Sequence, residues 1–251
     1  MGVDWRLRGL KKKLSLARSQ KFVARHTVTF ARACENIVAT IMGSWLPLES
    51  NPDVLNPFVH RLGLPVDWGF CDMFGLDPDL LAMVPQPCAA VCLLFPSEKI
   101  SKPRREEFAA KAAGQPPVPG DLFFCQQVDG IGNACGTIAC MHAVANAAAA
   151  GNFALDPECT LAKFIEATKA TPAPPDRGQA LLEAKELQEM SDATAAAGET
   201  EGAGTDDAQN QHFIAFVNFN GMVYELDGCN THVPGRRSNP RCCSSDPLLS
   251  F

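Results

Sequence analysis

Residues 212–227 read HFIAFVNFNGMVYELD. Two runs rich in aromatic and β-branched residues flank Asn220-Gly221, the residue pair that best suits the two positive-φ positions of a type I′ hairpin loop. A two-residue loop pairs Phe219 with Met222, so facing positions sum to 441 and Asp227 falls opposite Ile214. His212 shares the face of Ile214, because strand side chains alternate. His212 and Asp227 are therefore diagonal neighbours on one face, about 7–8 Å apart at Cα and within reach of each other. A carboxylate beside an imidazole fixes its tautomer and orients the ring. The competing reading is a chance pair of polar residues on an edge strand.

Upstream of the hairpin, residues 133–150 read NACGTIACMHAVANAAAA. Alanine dominates, Asn133 suits the N-cap and Gly151 suits the stop, so a helix is predicted. Cys135 lies in its first turn, where backbone N–H groups and the positive dipole end favour a thiolate. Gly136 follows and is expected to leave room for a substrate backbone. A cysteine at a helix start with a His–carboxylate pair later in the chain is the pattern of a cysteine nucleophile. An inert buried cysteine is the plainer alternative. His142 is seven residues from Cys135, about 10 Å along the axis, too far to serve as its base. It reads as a packed helix histidine. Gln126-Gln127 ends the apolar stretch before the helix, and a glutamine amide there can donate to a developing oxyanion.

Outward from these two elements the chain is mostly short segments. Asn51-Pro52 opens a helix that runs to Leu62 and closes at Gly63, and Asp77-Pro78-Asp79 opens another. The runs 89–95 and 122–125 read as buried strands. Leu161–Thr168 is a short helix and 178–190 is helix-prone. Residues 191–210 are small, acidic and glycine-rich, and a mobile loop is expected there. Residues 229–251 have no usable period and read as irregular coil.

The chain has 251 residues with 46% hydrophobic and 20% charged residues, enough for one domain with a sizeable core plus extensions. Nine of the 22 Lys/Arg and two of the 28 Asp/Glu lie in residues 1–44, a local charge of +7; the remaining 207 residues carry −13. Residues 1–44 read as a poorly ordered basic extension, either a transit-like leader or a segment mis-joined to the gene. The acidic body argues against nucleic-acid binding and favours a basic partner. No apolar stretch is long enough for a membrane-spanning helix. Eleven cysteines, an odd number without a C-x-x-C pair, argue against a disulfide framework and a structural zinc site, and for a reducing compartment. The expected location is cytoplasmic, with the nucleus or an organelle as alternatives.

Four blocks together resemble the ubiquitin carboxyl-terminal hydrolases of the short single-domain type: WLPLESNPDVLNPFVHRLGLP from Trp45, DPDLLAMVPQP from Asp77, GNACGTIACMHAVAN from Gly132 and HFIAFVNFNGMVYELDG from His212. The resemblance implies an α/β (α+β) fold, a central and mostly antiparallel sheet between helical layers in a papain-like architecture, with a backbone knot. It implies Cys135 as nucleophile, His212 as base, Asp227 as its orienting carboxylate and Gln127 as oxyanion donor. It sets Glu49, Asp53 and Asp72 against the arginines of the ubiquitin tail. The implied enzyme is a deubiquitinating cysteine peptidase that hydrolyses the bond after ubiquitin's C-terminal glycine and releases small or unfolded adducts. It needs no metal or organic cofactor, works as a monomer, and has its catalytic domain over residues 45–228, with 191–210 as a loop crossing the active site. Three departures stand out: two extra residues between Gln127 and Cys135, a divergent tail over 229–251 that lacks the family's final helix and strand, and the basic extension. If the strand is lost the knot is lost with it, and the alternative to the enzyme is a catalytically impaired ubiquitin-binding relic. A papain-like peptidase shares the Cys-before-His order but not these blocks.

Overall fold

The computed structural model describes residues 44–97, 100, 103–104, 106–107, 119–198, 211–230, 233 and 235–237. Residues 1–43 of the expected extension, 199–210 of the expected crossover loop and 238–251 of the tail lie outside them. No helix among the described residues is long and apolar enough to cross a membrane.

Helix α1 (Pro52–Leu62) starts as its sequence dictates. The Asn51 carboxamide accepts from the Asp53 N–H at 3.0 Å, and Pro52 takes the first turn. Leu55, Phe58, Val59 and Leu62, at helical spacing, form its buried face. Gly63 then turns at φ 126°, where a Cβ would sit 2.3 Å from Cys159 Sγ. The four-residue α2 (Pro78–Leu81) follows, then strand β1 (Ala90–Pro96).

Helix α3 (Cys135–Ala149) is the centre of the molecule. Every residue from Gly136 to Ala147 is buried, so it shows no amphipathic stripe. One apolar cluster joins Ile138, Met141 and Val144 to α1, α4 (Thr160–Ala167), α5 (Pro174–Glu183) and α6 (Lys185–Ala197) through Phe58, Leu62, Leu161, Leu181 and Leu187. A second joins Ala139 to Phe213, Ala215, Val217 and Leu226 of the sheet. Alanine's small side chain lets both layers close on one helix. Each buried Leu, Ile or Phe contributes about 1.5–3 kcal/mol.

The sheet runs β1-β2-β3-β4, antiparallel throughout, with β2 (Gln211–Phe219) and β3 (Met222–Leu226) forming the predicted hairpin. Asn220 and Gly221 have φ 52° and 72°, and Phe219 pairs with Met222. Opposite the face that meets α3, Arg104 in the helical turns after β1 ion-pairs with Glu225 of β3. The result is the expected antiparallel sheet packed with helices.

Four local expectations are corrected. Residues 122–125 are buried but form no strand. Their backbone groups are met by side chains: Asn146 accepts from the Phe123 N–H at 2.8 Å and donates to the Phe123 carbonyl at 2.9 Å. His142 Nε2 accepts from the Cys125 N–H at 3.0 Å, and Arg177 donates to the Phe124 carbonyl at 3.2 Å. Asn133 does not cap α3: Ala134 holds the N-cap position without a side-chain bond, and the Asn133 N–H donates to the Trp45 carbonyl. Residues 191–197 are helical rather than mobile, because Ser191 reaches Thr137 at 2.7 Å in the interior and Asp192 accepts from the Leu46 N–H at 2.8 Å. Lastly, the tail supplies a strand. Gly235–Arg237 forms β4 on the open edge of β3, where unpaired N–H and C=O groups need partners, after Val233 is buried in the sheet cluster.

Candidate active site

Three elements converge at one end of α3. Cys135 is its first residue and is half-buried. The first helical bond runs from the Ile138 N–H to the Ala134 carbonyl, so the N–H groups of Cys135, Gly136 and Thr137 lie outside the helical ladder. His212 is the second residue of β2, and Asp227 follows directly on β3. Their side chains meet as the hairpin register requires, with His212 Nε2 and Asp227 Oδ1 2.7 Å apart and both residues buried. Phe95, paired with His212 across β1, packs edge-on against the ring.

Electrostatics distinguish this imidazole. Burial opposes its charge, but the Asp227 carboxylate and the Cys135 side chain outweigh burial and push the His212 pKa up to about 9. Nε2 is engaged by Asp227, which leaves Nδ1 for the sulfur. His142 is the opposite case. Burial brings its pKa down to about 4 despite its backbone contacts, so it is neutral and serves as an acceptor for Cys125. The predicted reading of His142 as a packed helix histidine agrees with this. Burial also pushes the thiols of Cys92 and Cys125 up to about 12, and Cys140 upward as well. Cys135 differs from them in facing a buried imidazole–carboxylate pair.

Gln127 lies beside this cluster, its N–H donating to the Gly228 carbonyl at 2.8 Å. Its side-chain amide donates to the Gly132 carbonyl at 2.8 Å, in the loop that carries the two extra residues. Positive φ at Gly130 and Gly132 folds that loop back, and it bonds to Trp45 on both sides of Gly132. Gly136 corrects an expectation. A Cβ there would lie 3.0 Å from Leu48 and 3.2 Å from Phe213, so its bareness serves helix–sheet packing and not substrate access. Glu49 and Asp53 lie four residues apart at the entry to α1 and Asp72 on a later stretch, with Asp53 and Asp72 exposed and Glu49 half-buried near Gly198.

One residue at the site escaped the sequence reading. Cys229 stands two residues past Asp227, and an imidazole nitrogen, a carboxylate oxygen and its Sγ all lie within 4.8 Å of one another. The β2–β3 ladder ends at Ala215 and Leu226, and Cys229 lies in the turn beyond it, so hairpin register does not announce this residue.

The sequence profile of ubiquitin carboxyl-terminal hydrolase, family 1, matches residues 45–243. The chain belongs to this family. A ubiquitin carboxyl-terminal hydrolase of Aplysia californica is 43% identical over 187 residues, 73% of this chain and 81% of that protein. One of Drosophila melanogaster is 40% identical over 189 residues, 74% and 79% of the two chains. The crystal structure of the Trichinella spiralis UCH37 catalytic domain bound to ubiquitin vinyl methyl ester overlaps 76% of this chain and 78% of that one, at 21% identity and a TM-score of 0.49. The hydrolase is thus a cysteine-type enzyme. Its likeness to the family runs beyond Gly228, where divergence was expected, to residue 243.

Proposed function

We propose that this hydrolase cleaves the bond after the C-terminal glycine of ubiquitin, with Cys135, His212 and Asp227 as its catalytic residues. The observation that carries the assignment is the buried 2.7 Å contact between His212 and Asp227, beside a cysteine at the start of a helix. His212 takes the Cys135 thiol proton as the sulfur attacks the glycine carbonyl, then gives a proton to the departing amine. A base whose pKa stands near 9 is strong enough to receive a thiol proton. Asp227 orients the ring. The tetrahedral oxyanion is met by the Cys135 N–H and by the Gln127 amide, whose second hydrogen remains beyond the one given to Gly132.

The partner is a basic-tailed protein. Glu49, Asp53 and Asp72 are the acidic groups assigned to the ubiquitin tail. The stretch 66–83, which carries Asp72, also exposes Val66, Phe74, Leu76 and Met83, apolar surface of the kind a protein partner covers. The hydrolase acts as a cytoplasmic monomer on small or unfolded adducts, with no role for nucleic acid or membrane. Its free cysteines support a reducing compartment.

One observation favours the impaired relic: the Gln127 amide is already turned to Gly132. A ubiquitin C-terminal electrophile and a ubiquitin-amide reporter separate the two. The enzyme labels at Cys135, hydrolyses the reporter and loses both on Cys135→Ala. Ubiquitin binding without turnover in the full chain would establish the relic, and labelling that survives Cys135→Ala would remove Cys135 as nucleophile.

A further inference from the structure

We propose that His212, Asp227 and Cys229 form a zinc site within the active site, through which zinc switches the hydrolase off. The observation is geometric. Asp227 follows β3 directly, and the turn beyond it holds Cys229 beside that carboxylate. Its N–H donates to Asp227 Oδ1 at 2.9 Å, and the Asn230 N–H donates to the Asp227 carbonyl at 2.8 Å. One nitrogen, one oxygen and one sulfur donor then lie within 4.8 Å of one another.

Those three donors are zinc's own ligand types. In a tetrahedral zinc site, bonds of about 2.0–2.3 Å hold the donors roughly 3.3–3.8 Å apart. The 2.7 Å His212–Asp227 contact widens, and the longer donor spacings close, to that range by rotamer adjustments of about 1 Å. Hard cations such as calcium and magnesium take oxygen ligands and do not suit a thiolate. His212 and Asp227 are buried, whereas Cys229 is half-buried, so the set opens toward solvent on the cysteine side. The fourth position is left to water or to the sulfur of Cys135, which already acts on His212.

Binding is a ligand exchange without electron transfer. Zinc takes the place of the proton between the imidazole Nε2 and the carboxylate, and that proton moves to Nδ1. The Cys229 thiol gives its proton to solvent as the zinc–sulfur bond forms. An imidazole bound to metal through one nitrogen holds its proton on the other. It then has no site to accept the Cys135 proton, so turnover stops until a chelator removes the metal. The inhibitory consequence rests on the proposed catalytic roles; the binding does not.

Cobalt(II) serves as the probe. Titrated into the full-length Cys135→Ser protein, it should give tetrahedral visible absorption and a thiolate charge-transfer band, both displaced by one equivalent of zinc. Adding Cys229→Ala should abolish the band and weaken affinity by about 100-fold or more, since outer-sphere changes alone cost 10–100-fold. Cys229→Ser, which preserves side-chain size, should do the same with an unchanged melting temperature. In the otherwise unmodified enzyme, the ratio of zinc-inhibited to zinc-free turnover should rise toward one on Cys229→Ala. Cobalt spectra that do not respond to Cys229, or equal inhibition with and without it, would overturn the site. If the chain hydrolyses no ubiquitin reporter at all, the proposed function fails while the cobalt titration still decides the metal site.

Discussion

The hairpin 212–227 and the segment 122–125 have similar apolar sequences and different fates. Both are apolar, rich in aromatic residues and extended, and both are predicted as strands. In the hairpin, backbone pairs with backbone across β1, β2 and β3. In the segment, backbone pairs with side chains: Asn146 and His142 from α3, and Arg177 from α5. A ladder is generic, so its side chains are free for other work, and His212 and Asp227 can meet each other and take the proposed catalytic roles. A clamp of side chains consumes the polar groups that hold it. Asn146, His142 and Arg177 therefore do structural work, although two of them are residue types often found in active sites.

The largest expected effect separates chemistry from structure. Asp227→Asn should lower turnover by on the order of 10⁴, because the imidazole loses the partner that orients it. Its unfolding midpoint should move little, since the ladder carries the hairpin. If reporter hydrolysis stays within tenfold of wild type, Asp227 is not the orienting group.

Asn146→Ala should show the reverse pattern. It strands the buried N–H and C=O of Phe123 and removes a bond to the His142 carbonyl. At about 1–3 kcal/mol per orphaned group, the loss is roughly 3–5 kcal/mol, or a drop of about 10 °C in melting temperature. Calorimetry checks this; an unchanged midpoint would mean that the segment has another anchor.

Acid should act on the clamp through His142. Its pKa is about 4 in the fold against 6.5 ordinarily. Between these values the unfolded chain binds the proton and the fold does not. The stabilising effect of the neutral ring is therefore complete above pH 6.5 and is lost as pH falls toward 4. The total is about 3 kcal/mol. His142→Gln keeps an acceptor without the titration. Denaturant melts at pH 7 and 4.5 should thus show a steeper decline for wild type than for the variant.

The smallest effect belongs to the hairpin turn. Asn220 holds φ 52°, a region that alanine enters at a cost of about 1 kcal/mol. Asn220→Ala should lower stability by that amount and leave turnover intact, because the ladder rather than the loop fixes His212 against Asp227. A large loss of turnover would show that the turn sets the register of the active site.

Features that are local or periodic could be read from the order of the amino acids. Asn220-Gly221 made the hairpin and its register legible, and from that register His212 could be placed beside Asp227. Asn51-Pro52 and Gly63 fixed α1, and the alanine run fixed α3 to within two residues at its start. The tertiary structure alone decided what depends on distant partners. Leu122–Cys125 is not a strand because Asn146 and His142 reach it first. Ser191 and Asp192 are helical because Thr137 and the Leu46 N–H lie where their side chains end. Gly235–Arg237 is a strand because the edge of β3 needs one. Gly136 is bare because Leu48 and Phe213 close over it. Cys229 stands beside His212 and Asp227 because the turn after β3 brings it there, and no propensity of its own announces that. Backbone hydrogen-bonding groups must be satisfied when buried, and a sequence states that demand without naming the partner that meets it.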